Sequence, residues 1–272
     1  TLAGRALARL GRHETAALYL ARAAQPGPPV RAAVAAMSAA DFAALRREAQ
    51  ERPNDGPAQV RLIAALLARG EAREALTRAR RVQAANPGAP EAHLLAGDAL
   101  ELTGDFAGAA EQYRRAANLA FTEGTALRLI EALRRSGNGA AADHVLDLFV
   151  RENPRSVAGQ ILLAGRTMEQ RDWTDAIGIY EDLRGRLGNN DATLLNNLAW
   201  ARSQAGDDEV AIPLARRAWA LDRRNPATAD TLGWLLFTSG EDRAGGLALL
   251  VRSARGAPDP AEIRRRLRAR SS

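Results

Sequence analysis

Histidine, the side chain most often used near neutral pH to transfer protons or bind metals, occurs three times in this 272-residue sequence. His13, His93 and His144 are far apart, and no two have the spacing that places metal ligands on one helix face. Cysteine is absent, which excludes disulfides and cysteine-ligated metals. No nucleophile elbow, phosphate loop or dinucleotide fingerprint occurs in a strand–turn–helix setting. We therefore expect a non-enzymatic protein without a metal or a cofactor.

Acidic residues stand in pairs at Asp207-Asp208 and Glu241-Asp242, where two carboxylates could in principle share acid–base work. Each pair directly follows a glycine and precedes an apolar stretch. Negative charge is favourable at the start of a helix, because the helix dipole is positive there. The pattern predicts helix N-termini at these points.

A short signal occurs six times in the sequence. It consists of a glycine, or once an arginine, followed by Asp, Glu or Asn and then by an alanine-rich stretch. The first residues of the copies are Gly70, Gly104, Gly137, Arg171, Gly206 and Gly240, which are 33 to 35 residues apart. A glycine suits a helix C-terminus that needs positive φ, and the next polar residue can cap a following helix. A period of this length predicts a stacked array of helical hairpins.

Composition also indicates an all-α chain. Hydrophobic residues make up 46% of the sequence but aromatic residues only 4%, so Ala and Leu, both strong helix formers, supply most of the apolar side chains. All 38 basic residues are Arg, which we attribute to a GC-rich genome. They are interleaved with 32 acidic residues, which argues against a nucleic-acid-binding array. No apolar run is long enough to span a membrane.

The hairpins resemble the tetratricopeptide repeat (TPR), which has 34 residues and small residues at repeat positions 8, 20 and 27. Position 20 is Ala75, Ala109, Ala142, Ala176 and Ala211, and Gly246 after a one-residue insertion. The resemblance covers about residues 54–258 and implies a right-handed superhelical α-solenoid. The larger Phe149 and Leu183 at position 27 predict local shifts in helix packing.

We predict one solenoid over residues 1–272. Its units are about 1–27, a degenerate 28–53, then 54–88, 89–122, 123–155, 156–189, 190–224 and 225–258, with a capping helix at 259–270. The degenerate unit should contain helices at about 30–37 and 39–52. Because the first residue falls inside a predicted helix, we expect a fragment of a longer protein.

The family resemblance implies that the first helices of the hairpins line a concave groove that binds a peptide or a partner protein. The implied site residues are Asn196, Asn197, Trp200, Asp230 and Trp234 in the last two full units, and Arg128, Glu131 and Arg134 in the middle units. Large aromatic side chains often anchor protein interfaces. The alternative is that the tryptophans pack against neighbouring helices and the charges are only solvated.

The segments 196–200 (Asn-Asn-Leu-Ala-Trp) and 230–234 (Asp-Thr-Leu-Gly-Trp) are similar to the last units of bacterial TPR lipoproteins associated with exopolysaccharide export and exosortases. This implies a periplasmic or outer-membrane-associated scaffold with partners in polysaccharide synthesis and export; the cytoplasm is the alternative location. Two other hypotheses are the substrate-recognition region of a larger enzyme, such as a glycosyltransferase, and a basic nucleic-acid-binding array. The arginine-rich segment 264–270 could contact an anionic surface or simply solubilise the capping helix.

Overall fold

A computed structural model describes residues 37–254, and in this range the chain folds into thirteen helices with no strand. The predicted first unit, the predicted capping helix, His13 and nearly all of the predicted helix at 30–37 lie outside the described residues. The all-α helical-repeat solenoid predicted from the sequence is confirmed. None of the helices between residues 37 and 254 is long and apolar enough to cross a membrane.

The described residues fall into two compact units, 37–159 (unit one) and 160–254 (unit two). The helices are α1 Ala39–Glu51, α2 Gly56–Ala68, α3 Ala72–Ala85, α4 Pro90–Leu102, α5 Phe106–Leu119, α6 Glu123–Arg135, α7 Gly139–Glu152, α8 Val157–Gln170, α9 Trp173–Leu187, α10 Ala192–Gln204, α11 Asp208–Leu221, α12 Pro226–Ser239 and α13 Arg243–Ala254. From α1 to α7 and from α9 to α13, each helix packs against the next one in the chain.

The six predicted turns all adopt the expected left-handed conformation. Five are glycines with φ between 77° and 86°, and the sixth is Arg171 with φ 63°. At Gly104 the following Asp105 amide donates to the Leu100 carbonyl at 3.0 Å, which closes the end of α4. The Asp105 carboxylate then accepts from the Gly108 amide at 2.8 Å, which caps α5. One turn therefore ends one helix and starts the next.

The alanines at position 20 lie at the contacts between helices. Ala75, Ala109, Ala142, Ala176 and Ala211 are all fully buried. In the last hairpin this position is Gly246 on α13, where an added Cβ would lie 2.7 Å from the Gly233 carbonyl oxygen of α12. The predicted one-residue insertion is therefore present, and α12 and α13 approach too closely for any side chain at Gly246.

The large residues predicted to disturb the packing are enclosed in the core. Phe149 and Leu183 are both fully buried. Within unit one, Gly159 leaves space for the Phe149 ring, since an added Cβ would lie 3.0 Å from that ring. Phe121 packs edge-on against Phe149, with ring centroids 6.1 Å apart. Neighbouring residues thus compensate for the larger side chain at Phe149.

Candidate protein-interaction surfaces

Helix α10 of unit two presents one polar and aromatic face beside a largely apolar one. Its start is fixed by Asp191, whose carboxylate accepts from the amides of Thr193 and Leu194, both at 2.9 Å. The apolar face is buried and consists of Leu194, Leu195, Leu198, Ala199 and Ala201. Asn197 and Trp200 are only half-buried. Because they are three residues apart, they lie on the same side of the helix.

Helix α12 repeats this arrangement one unit later. It begins after Asn225, whose side chain accepts from the Ala227 amide at 2.9 Å. Trp234 is half-buried and occupies the same repeat position as Trp200. Since α10 and α12 contact each other, the two indoles lie on neighbouring helices. We call Asn197, Trp200 and Trp234 the tryptophan surface.

Two other residues of the predicted groove are more enclosed. Asn196 has only 8% of its surface exposed, and its Oδ1 has no hydrogen-bond partner within residues 37–254. Asp230 is half-buried and accepts from the Ser253 hydroxyl of α13 at 3.2 Å. A buried acceptor without a partner costs about 1–3 kcal/mol. Asn196 therefore lowers the stability of α10 packing, while Asp230 takes part in the α12–α13 contact.

In unit one the predicted site residue Arg128 forms an ion pair within the fold. Arg128 of α6 donates from Nε to Asp98 of α4 at 3.1 Å, and these side chains are only 14% and 28% exposed. The Tyr113 hydroxyl donates to the same Asp98 oxygen at 2.7 Å. Burial and the nearby Asp98 charge raise the pKa of Glu101 above its ordinary value. Asp98 thus links α4, α5 and α6, and this bonding gives Arg128 a structural role.

The other two charged candidates lie further along α6. Arg134 approaches the carboxylate of Asp143 on α7 at 3.7 Å, and Glu131 is half-buried. Two of the three charged residues predicted to line the groove, Arg128 and Arg134, therefore form ion pairs inside unit one. Sequence reasoning missed this because nothing in the spacing shows that Asp98 and Arg128, in different repeats, would meet.

His93 joins three helices of unit one through a buried polar network. The Gln83 amide donates to His93 Nδ1 at 3.0 Å and to Gln112 Oε1 at 2.7 Å. His93 Nδ1 also lies 3.1 Å from Gln112 Oε1, and the opposite ring nitrogen, Nε2, is 3.2 Å from the Pro87 carbonyl oxygen. His93 is therefore a packing residue. His144 is exposed, and residues 37–254 contain no cluster of His, Asp and Glu that could hold a metal.

A family model for the tetratricopeptide repeat matches residues 60–122. The hairpins in this range are similar to tetratricopeptide repeats. The match covers α3, α4 and α5 and most of α2, which together contain the first two left-handed turns. The remaining hairpins keep the same turn and the same small residue at position 20.

Solved TPR structures have the same fold. Pseudomonas aeruginosa pilF superposes with a TM-score of 0.65 and 16% identity, over 80% of this chain and 99% of its own. A TPR protein from Parabacteroides merdae gives 0.59 and 11%, over 83% and 89%. A chain of the APC/C hetero-tetramer Cut9–Hcn1 gives 0.64 and 15%, over 83% of this chain but only 45% of its own length. No curated protein matches the sequence.

Proposed function

We propose that this chain is a protein–protein interaction scaffold that binds a peptide or a segment of a partner protein on the tryptophan surface, without chemistry of its own. The observation that carries the proposal is the pair of half-buried indoles, Trp200 and Trp234, at equivalent positions on the contacting helices α10 and α12. Partly exposed indoles supply large contact areas and an N–H donor, and they dominate interface energetics.

The surrounding polar groups fit a peptide partner. The Asn197 side chain has both a donor and an acceptor, so it can bond a peptide backbone in either direction. The TPR fold is consistent with this role, and the Cut9–Hcn1 structure is an example of a similar chain assembled with another protein.

We further propose a bacterial envelope location, periplasmic or associated with the outer membrane, with partners in polysaccharide synthesis or export. Support comes from the paired segments at 196–200 and 230–234, which resemble those of exopolysaccharide-export TPR lipoproteins. Fractionation of the producing cells, followed by immunodetection of the chain, tests this location. Recovery of the chain solely with cytoplasmic markers would contradict it.

The tryptophan surface is tested by affinity capture from a bacterial envelope extract, comparing the parent chain with the Trp200→Ala/Trp234→Ala variant. Trp219→Ala is the matched control, because Trp219 is also half-buried but lies on α11 with Arg252 stacked 5.0 Å from its ring centre. We expect the double variant to lose captured partners that the control retains. Trp200→Phe/Trp234→Phe, which keeps aromatic rings, should restore part of the binding.

Recovery of every partner by a folded double variant would refute the assignment of this surface. Thermal unfolding of each variant, followed by circular dichroism, separates loss of binding from loss of fold.

A further inference from the structure

Two neighbouring helices of unit one carry adjacent arginines at the same place in the repeat. Arg80 and Arg81 lie on α3, and Arg114 and Arg115 lie on α5, 34 residues later. All four side chains are exposed. We call these four residues the arginine patch.

The patch has little internal neutralisation. Arg114 and Arg115 share one carboxylate, that of Glu111, at 2.8 Å and 3.1 Å, and their side chains are 50% and 57% exposed. The side chains of Arg80 and Arg81 make no hydrogen bond or ion pair with any residue between 37 and 254. Within the described residues, one carboxylate thus pairs with two of the four guanidinium groups.

The buried network around His93 holds the two halves of the patch together. Gln83 of α3 bonds Gln112 of α5 at 2.7 Å. Arg80 is three residues before Gln83, and Arg115 is three residues after Gln112, so each lies about one turn, or roughly 5 Å along its helix, from the bond. Packing therefore fixes the spacing of the backbone positions that carry these charges.

Unit two contains an equivalent pair of arginines whose side chains bond other residues of the same unit. Arg216 and Arg217 occupy the equivalent position on α11, but Arg216 bonds Glu241 at 2.8 Å and Arg217 bonds the Asn190 side chain at 2.9 Å. On α9 the equivalent residues are acidic, Glu181 and Asp182. Unpaired arginines are therefore a local feature of unit one and do not follow from the repeat itself.

We propose that the arginine patch is a docking surface for a segment of a partner protein rich in Asp and Glu. Guanidinium groups bind carboxylates in pairs of hydrogen bonds, and the four charges match a short run of acidic side chains. No aromatic ring is open for base stacking on α3 or α5: Tyr113 is buried, and Arg135 covers Phe106 at 3.8 Å from the ring centre. An acidic peptide therefore fits the patch better than a single-stranded nucleic acid.

The test is a fluorescence-anisotropy titration with a labelled ten-residue peptide of alternating Glu and Asp, at two salt concentrations. The parent should bind more weakly as salt rises. Arg80→Gln/Arg81→Gln should weaken binding about 5-fold, because exposed ion pairs contribute modestly. Arg216→Gln/Arg217→Gln, which makes the same change in net charge in unit two, should leave the affinity within about 2-fold. Glu111→Gln, which frees Arg114 and Arg115, should tighten binding.

Three results would overturn the proposal. The first is no salt-dependent binding of the acidic peptide, and the second is equal weakening by the two double arginine variants. The third is that a single-stranded oligonucleotide of equal charge binds more tightly than the peptide and that Arg80→Gln/Arg81→Gln abolishes this oligonucleotide binding. Equal weakening would mean that general charge, and not the patch, attracts the peptide. Because the patch and the tryptophan surface consist of different residues, none of these three results bears on partner capture through Trp200 and Trp234.

Discussion

Arg171 is the one residue of the repeated turn that departs from glycine, and replacing it with glycine should stabilise the protein. Its φ is 63°, in the left-handed region that side chains disfavour. The turn is otherwise regular: the Arg171 amide donates to the Met168 carbonyl at 3.2 Å, and the Asp172 amide donates to the Thr167 carbonyl at 2.9 Å. The fold therefore imposes the conformation, and Arg171 adopts it at a cost.

The expected gain is the difference between two terms. A non-glycine residue in this region costs about 1–2 kcal/mol. The entropy term of glycine opposes the gain by about 0.5–1 kcal/mol, because glycine loses more conformational freedom on folding. Arg171→Gly should therefore stabilise the turn by about 0.5–1 kcal/mol. Since a repeat array opens locally, the gain should be concentrated in α8 and α9.

Native-state hydrogen exchange of the α8 and α9 amides measures this gain directly, and urea unfolding gives the global value. Gly137→Ala is the matched control in the equivalent turn, with φ 82° and no atom within 4 Å of an added Cβ, so only the backbone conformation changes. It should destabilise α6 and α7 by about 1 kcal/mol. Arg171→Ala should give no such gain, because it keeps the Cβ.

An unchanged or lower stability of Arg171→Gly, with Gly137→Ala behaving as expected, would refute the reasoning. It would show that the Arg171 side chain stabilises the folded state by more than the left-handed backbone conformation destabilises it. Equal stabilisation by Arg171→Ala would instead assign the effect to loss of the arginine charge.

Three further variants test the packing. Glu101→Gln should raise the free energy of unfolding at pH 7, because burial and Asp98 disfavour the charged form of Glu101 in the folded state. The folded pKa of Glu101 lies above the unfolded value of about 4.3, so the stability advantage of the variant should grow as pH rises from the unfolded pKa to the folded pKa and vanish at lower pH. Urea unfolding at a series of pH values measures this, and an advantage that does not change with pH would contradict it. Gly246→Ala should destabilise α12 and α13 by about 1–3 kcal/mol or more, because the new Cβ would lie 2.7 Å from backbone atoms of α12. Gly178→Ala on α9, where an added Cβ meets no atom within 4 Å, should instead stabilise the protein by about 0.5–1 kcal/mol. If Gly246→Ala and Gly178→Ala shifted the midpoint of thermal unfolding by similar amounts in the same direction, the packing argument would be contradicted.

The turns and helix pairs could be predicted because their causes are local. Gly104 and Asp105 specify a helix end and a helix start within two residues, and the alanines at position 20 mark the close contacts whatever lies further along the chain. Even Arg171 was found, since the period placed it where a left-handed residue was needed. The repeat period therefore predicted a left-handed backbone conformation at Arg171, although a non-glycine residue disfavours that conformation.

The charged residues of unit one could not be predicted in the same way. Asp98 and Arg128 lie in different hairpins, and their ion pair depends on how far α4 and α6 are offset when they stack. The Tyr113 hydroxyl completes the site from a third helix. A repeat pattern gives the face on which a side chain lies, but the partner it meets depends on the geometry between repeats.

Asn196 and Asp230 occupy the same repeat position on α10 and α12, four residues before Trp200 and Trp234, and they support the proposal that binding occurs in unit two. This inner position is apolar in earlier helices, as Leu127 on α6 and Ile161 on α8, both buried. On the two helices that carry the half-buried tryptophans it becomes Asn196 and Asp230. An apolar residue in place of Asn196 would remove a buried acceptor that has no partner among the described residues, so folding alone favours the exchange. Local sacrifices of stability of this kind are expected at functional sites, and this one lies a single helical turn from Trp200.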